Sequence, residues 1–353
     1  MTSELEAAPL SPPPGPSRAS RVLGLWPGLA VVLVISGVAM FLGSLVPIIG
    51  GPVFGIVIGA ILAIFIRPGT VLEAGTKFAG KRVLQASIVI LGTGLSLTQV
   101  LSVGLSSLPV MLGTLAVALV GAWLVGRMLR VNGDIRTLIG VGTGICGASA
   151  IAATTAVIGA ADAEVAYAIG TIFTFNIAAV LLFPMIGHLL GLSQHAFGLW
   201  AGTAINDTSS VVAAAYTFGA SAGAYAVVVK LTRTLMIIPI SIVLAAVQSR
   251  KDAAAGGETA RRRVPWKRIV PLFIIGFLVA SALDTVGVIP VSWHPTLSAL
   301  GVFMITMALT GIGFSTRLST LRKAGARPLL LGGILWVLVA VTSLLIQLAT
   351  GTL

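Results

Sequence analysis

The sequence predicts an all-α polytopic membrane protein of about 9–11 hydrophobic segments, with internal, inverted repeats and two broken or re-entrant helical elements. Three observations predict it. The 353 residues are 57% hydrophobic and 9% charged, with a mean hydropathy of +1.07, too little charge to cover a soluble surface of that length. Apolar runs of roughly 18 or more residues recur from residue 22 to the C-terminus, the length a helix needs to cross hydrocarbon. The 42 glycines and 17 prolines allow close helix packing and breaks that line a cavity.

Residues 1–20, MTSELEAAPLSPPPGPSRAS, are rich in Pro and Ser and predict a disordered cytoplasmic tail. The apolar run after Arg18 and Arg21 is too long for a signal-peptide core and lacks a cleavage site, so it reads as an uncleaved first span. Residues 21–353 then form one transmembrane transporter domain. Its segments fall at 22–46, 51–66, 83–105, 108–129, 137–160, 164–190, 196–219, 222–248, 268–289, 296–316 and 328–350. Lys and Arg cluster in alternate connections: Arg67, Lys77, Lys81 and Arg82; Arg127, Arg130 and Arg136; the basic loop 249–267; and Arg317, Arg322, Lys323 and Arg327. Threading the chain with a cytoplasmic N-terminus puts every cluster inside, which predicts a multi-pass protein of the bacterial inner membrane.

The same distribution answers the high pI of 11.1. The basic residues sit in short loops, so no nucleic-acid partner is expected. One cysteine, Cys146, and three scattered histidines leave no disulfide and no metal site, and no cofactor is expected.

Two basic residues escape the loops. Lys230 and Arg233 lie inside segment 222–248, on one helix face. A cation at bilayer depth costs a few kcal/mol, so it either snorkels or faces the protein interior with a task. Lys230 is near enough to one end of the segment to snorkel, whereas Arg233 is deeper. Opposite in character is AGTAINDTSS (201–210), where Asn206 and Asp207 interrupt two apolar runs. A break of this kind leaves free N–H groups on one half-helix and free carbonyls on the other. Asp207 can cap the following half-helix with help from Thr208 and Ser209. Alternatively it lines a polar cavity, carrying a coupling proton or pairing with Arg233.

The stretch has a partner. GTGICGASAIAATTAVIGA (142–160) matches GTAINDTSSVVAAAYTFGA (202–220) at an offset of 60, pairing Gly142, Thr143, Ile145 and Ser149 with Gly202, Thr203, Ile205 and Ser209. Residues 91–113 match 310–332 at an offset of 219, pairing Gly92, Gly94, Ser96 and Pro109 with Gly311, Gly313, Ser315 and Pro328. Gly- and Ala-rich spans can align by chance, but two independent matches holding Gly, Ser and Pro argue against it. Such repeats mark transporters whose site lies at mid-membrane where discontinuous helices meet. The 91/310 copies are separated by an odd number of crossings and are inverted. The 142/202 copies are parallel if their segments span and inverted if both re-enter; the Lys/Arg pattern fits either, and the polar, Gly-rich tips favour interruption.

The candidate substrate-binding residues are therefore Arg233, Lys230, Asn206, Asp207, Thr208 and Ser209, with Thr143, Cys146, Gly147 and Ser149 from the matched stretch. Cys146 reads as a small packing residue, since no base neighbours it. Gly92, Thr93, Gly94 and Ser96 are expected to pack against the break, with repeat partners Gly311, Gly313 and Ser315, and Asn176 to support it with an interhelical amide. An intramembrane Arg and Lys beside hydroxyl and amide donors make an anion site, and the forked donors of Arg suit oxyanions.

GTGICGASAIAA, AGTAINDTSSVVAA and the KLTRTLMIIPI run resemble the YeiH-type family of bacterial inner-membrane sulfate exporters, over nearly the whole chain after residue 20. The resemblance implies membership of the cation/proton antiporter and anion transporter superfamily, with inverted repeats, broken helices at the substrate site, and sulfate, sulfite or an organosulfonate as the exported anion. The leading expectation is thus a secondary transporter exporting a small oxyanion, with a proton or cation as coupling ion or as a uniporter. An anion channel and a carboxylate carrier are the alternatives, and a homodimer stays open. No Walker motif is present. A membrane-embedded enzyme would need a nucleophile–base pair or metal ligands, and neither is visible, so the chain is expected not to be an enzyme.

Overall fold

The computed structural model describes residues 24–46, 50–66, 70–254, 272–315 and 325–353. The tail 1–20, the basic loop from 255 onward and Arg317, Arg322 and Lys323 lie outside the described residues. Among those described there is no strand, and six helices are long and apolar enough to cross a membrane, or seven if a bent pair counts as one. The protein is an all-α polytopic membrane protein.

The helices form two packed groups. In the first, α1 (Trp26–Leu45) and α2 (Gly50–Phe65) precede a long bent helix made of α3 (Thr70–Phe78), a π turn (Ala79–Val83) and α4 (Leu84–Leu91). A 3-10 turn at Gly92–Gly94 ends it, and the chain swings by 105° into α5 (Leu97–Ser106). Ser96 causes the swing. Its backbone is extended, its hydroxyl accepts from Gln99 N, and the Gln99 side chain returns to Ser96 N, a capping box that starts a new helix in a new direction. The apolar segment expected at 83–105 is therefore not a single span, and Lys77, Lys81 and Arg82 lie on a helix rather than in a loop. α14 (Leu272–Thr285) and α15 (His294–Ser315) complete this group.

The expected role of the glycines here is corrected. Gly92 packs on Phe277 and Ala280, Gly94 has open space beside it, Gly311 meets the backbone of Thr76 and Gly80, and Gly313 meets that of Ile56 and Ala60. Ser315 bonds Thr76, 3.3 Å between hydroxyls. Close helix packing within the first group explains Gly92, Gly311 and Gly313, whereas Gly94 borders a cavity; none belongs to the tips described below.

The second group holds α6 (Leu108–Met128), α7 (Gly133–Gly144), α8 (Ala148–Ile158), α9 (Asp162–Leu189), α10 (Gln194–Ala204), α11 (Thr208–Phe218), α12 (Ala220–Thr234), α13 (Ile237–Ala254) and α16 (Ala326–Thr350). The segments expected at 137–160 and 196–219 are both broken, at 145–147 and 205–207. Their halves are 11 or 12 residues long, roughly 17 Å each and too short to cross hydrocarbon.

Hydrogen bonds show how each pair is closed. Asn132 Nδ2, at the start of α7, donates to Glu164 Oε1 at the start of α9 (2.7 Å). Gln194 Oε1, at the start of α10, accepts from Ser221 N and Ala222 N at the start of α12 (3.0 and 3.2 Å). Each pair therefore begins and ends at one end of the molecule. α7–α8 is a hairpin from one end and α10–α11 a hairpin from the other, with the 28 residues of α9 running between them. Ala168 and Ile172 of α9 pack on the first hairpin, and Ala179 and Phe183 on the second. Leu335 and Val339 of α16 divide in the same way.

The seam between the groups is apolar. Val212 and Ala213 of α11 and Val227, Val228 and Leu231 of α12 share a core with Val53, Ile56, Ile305 and Leu309. The Ser106 and Tyr225 hydroxyls bridge it at 3.4 Å. Beside them lies a cavity of about 430 Å³, lined by Gly94, Gln99, Ser221, Tyr225 and apolar neighbours from α5 and α12.

Candidate functional site

The two hairpin tips meet inside the second group. Gly147 is left-handed (φ +67°), a conformation that favours glycine. A Cβ there would lie 3.4 Å from Ile172 Cγ2 and 3.5 Å from Asp207 Cα and Cβ, so the Cys146-Gly147 tip lies directly against the Asn206-Asp207 tip.

The carbonyl ends of the first halves are held by α12. Lys230 Nζ donates to Ile145 O and Ile205 O, both at 2.8 Å. Arg233 donates through Nη1 to Thr203 O and through Nη2 to Thr143 O (3.3 Å). Both side chains are 0% exposed. The acceptors are the final carbonyls of α7 and α10, where a helix leaves C=O groups unpaired and its dipole is negative. Two cations one turn apart thus brace both tips at once. Lys230 does not snorkel, and Arg233 turns Nη1 and Nη2 to carbonyls rather than to Asp207.

Asp207 is the N-cap of α11. Its Oδ2 accepts from Ser209 N (3.0 Å) and from the Ser209 hydroxyl. Asn176 of α9 accepts through Oδ1 from Asn206 N and Asp207 N, both at 3.2 Å. The amide end of α11 is therefore filled. Gly147, the N-cap of α8, has no side chain to cap with, and the Cys146 sulfur accepts from Ala150 N instead; Ala148 is half-buried and Ser149 exposed, as Asp207 and Thr208 are half-buried on the other tip. Cys146 is 3% exposed, within electrostatic reach of Lys230 and Asp207. Four buried polar atoms at the crossing have no protein partner: Thr143 Oγ1, Asn176 Nδ2, Asn206 Oδ1 and Arg233 Nε.

The tip residues, Lys230, Arg233 and Asn176 thus come together, while Gly92, Gly94, Ser96, Gly311, Gly313 and Ser315 lie in the other group. Sequence reasoning missed Asn132, Glu164 and Gln194, which close the hairpins, and Ile172, which walls Gly147. The only sign of the first three was polar character at helix starts.

Fold and site together define a polytopic helical membrane protein with two opposed hairpins and an intramembrane polar centre. The chain belongs to the family described as conserved hypothetical protein 698, which matches residues 27–332. It is 43% identical over 330 residues to a UPF0324 membrane protein of Streptococcus pyogenes serotype M3, covering 92% of this chain and 97% of the relative. It is 42% identical over 334 residues to one of Streptococcus agalactiae serotype V (92% and 98%) and over 328 residues to one of Streptococcus mutans (91% and 96%). No solved structure matches the chain.

Proposed function

We propose that this chain is a secondary transporter of a small oxyanion, with sulfate, sulfite or an organosulfonate as the exported class. The observation that carries the reading is the meeting of two opposed hairpin tips beside two fully buried cations. Irregular backbone at membrane depth is tolerated where it is buried or lines a path, and buried intramembrane charge marks such paths. One carboxylate faces two cations, which leaves the crossing net positive before an anion enters. The order hairpin, crossing helix, hairpin supports reading the 142/202 copies as inverted, the arrangement on which alternating access is built. Arg127, Arg130 and Arg136 flank the end where α7 begins, which supports a cytoplasmic N-terminus and an inner-membrane location. The sulfur class comes from the resemblance to the YeiH-type exporters, and the chemistry asked of the chain is binding and translocation rather than catalysis.

Reconstituted vesicles test the reading. Saturable efflux of labelled sulfate or sulfite, accelerated by the same anion outside, is the expected result. Conductive flux without counterflow would make the chain a channel, and flux of short carboxylates alone would move the substrate class. Absence of flux for every anion would overturn the reading.

A further inference from the structure

We propose that the end of the molecule where α7 begins holds the phosphate of an anionic phospholipid, gripped by Arg127, Arg130, Arg136 and Arg327. The site stands apart from the hairpin tips and does not depend on the transport reading.

The first observation is the turn that ends α6. Val131 N donates to Gly126 O (2.9 Å) and Arg130 N to Arg127 O (3.1 Å), a Schellman turn whose left-handed position is Arg130 (φ +53°). α9, α14 and α16 end in the same turn: Leu192 N donates to Gly187 O, Val288 N to Leu283 O and Thr352 N to Gln347 O. Each of those three puts a glycine in the left-handed position, Gly191, Gly287 or Gly351. Among the described residues, Arg130 is the one non-glycine with a positive φ. A guanidinium thus stands where a side chain is conformationally disfavoured, and such an outlier points to a task for that side chain.

The second observation is what the tertiary structure brings to this turn. A Cβ on Gly126 would lie 2.5 Å from Arg136 Cδ and 3.3 Å from Leu331 Cδ2, so the stem of Arg136 and the start of α16 close on the end of α6. Arg327 precedes Leu331 by one turn on the same face of α16. Among the described residues, no carboxylate pairs with any of the four arginines. The acids at this end, Asp134, Asp162 and Glu164, lie in the first turns of α7 and α9, where helix amides stabilise them. Glu164 is also bonded by Asn132 Nδ2 and Ala161 N. The carbonyl end of α6 calls for roughly half a positive charge, so the cluster exceeds what the helix needs.

The surroundings identify the anion as a lipid. Trp123, one turn before Arg127 on the same face of α6, is 53% exposed, and Met128 is 81% exposed. An exposed tryptophan beside exposed cations marks the bilayer interface. Guanidinium forks match phosphate oxygens, and a basic cluster between helix ends at that level fits a phospholipid headgroup whose chains lie along Trp123 and Leu124.

The test titrates the purified protein, in a neutral detergent, with dioleoyl phosphatidylglycerol and separately with dioleoyl phosphatidylcholine. The two share chains and phosphate, but only the first carries a net charge. Native mass spectrometry counts bound lipid, and a thermal melt reads its effect. Phosphatidylglycerol is expected to bind and to raise the melting temperature; phosphatidylcholine is not. Arg130→Gly removes the guanidinium while relieving the positive φ. It should melt no lower than the wild type in detergent alone, yet bind phosphatidylglycerol about tenfold more weakly. Arg327→Gln should weaken binding to a similar degree. Lys81→Gln, which removes an exposed cation of the first group, should leave it unchanged. Equal binding of the two lipids, undiminished phosphatidylglycerol binding by Arg130→Gly, or an equal loss in Lys81→Gln would overturn the inference. So would a stabilisation by inorganic phosphate that is lost in Arg130→Gly, since the arginines would then serve a soluble anion. If Arg327→Gln does not fold, Arg130→Gly decides alone. None of these readouts involves anion transport, so failure here leaves the transport reading standing.

Discussion

At the scale of the residue, α12 shows how two charges become tolerable inside a bilayer. Among the described residues, Lys230 and Arg233 meet no carboxylate at ion-pair distance; each meets the negative ends of two half-helices instead. Such a brace predicts a loss of stability rather than a simple loss of affinity. Lys230→Met orphans Ile145 O and Ile205 O, at about 1–3 kcal/mol per unpaired group, and should lower the apparent melting temperature by several degrees in detergent. An unchanged melting temperature would mean that the brace is not structural. Gly147→Ala places a Cβ in the left-handed region against Ile172 and Asp207. It is expected to cost about 1–3 kcal/mol through the positive-φ backbone alone, since the added methyl meets Ile172 and Asp207 at ordinary contact distance, and to lower the apparent melting temperature accordingly.

At the scale of the element, the question left open by hydropathy was whether 137–160 and 196–219 span or re-enter. Asn132–Glu164 and Gln194–Ser221 decide it, because each bond joins the start of a hairpin to the helix that follows it. Cysteines placed at Asp162 and Glu164 should therefore react with an impermeant thiol reagent from the same face as one at Arg130. A cysteine at Ser193 should react from the opposite face. The native Cys146, 3% exposed, keeps the background low. Labelling of Asp162→Cys and Arg130→Cys from opposite faces would restore the spanning arrangement. The long bent helix teaches the reverse lesson. Its apolar run continued through 83–105, but the Ser96–Gln99 capping box was a local signal that the chain starts a new helix there.

At the scale of the molecule, the two groups meet along an apolar seam, and the proposed alternating access predicts motion along it. Gly104 of α5 faces Thr232 of α12, with a Cβ position 3.2 Å from Thr232 Oγ1, a spacing close to what a disulfide requires. The double variant Gly104→Cys/Thr232→Cys should, once oxidised, bind sulfate as before but cease to transport it, with recovery on reduction. Equal transport by the oxidised and reduced forms would show that the seam stays fixed during the cycle.

The sequence by itself determined the membrane class, most of the long apolar helices, the two interruptions and the residues at their tips. These are legible because hydrocarbon selects long apolar runs and makes a polar interruption such as Asn206-Asp207 conspicuous. What only the tertiary structure decided is who partners whom. The cations turned out to serve backbone carbonyls, Asp207 to cap α11, Asn176 to hold the second tip, and the repeat glycines 92, 311 and 313 to pack elsewhere. Carbonyls and amides carry no residue identity, so a bond from Lys230 to Ile145 O leaves no trace in the chain's letters. It exists only once two hairpins, 60 residues apart in sequence, are folded toward each other.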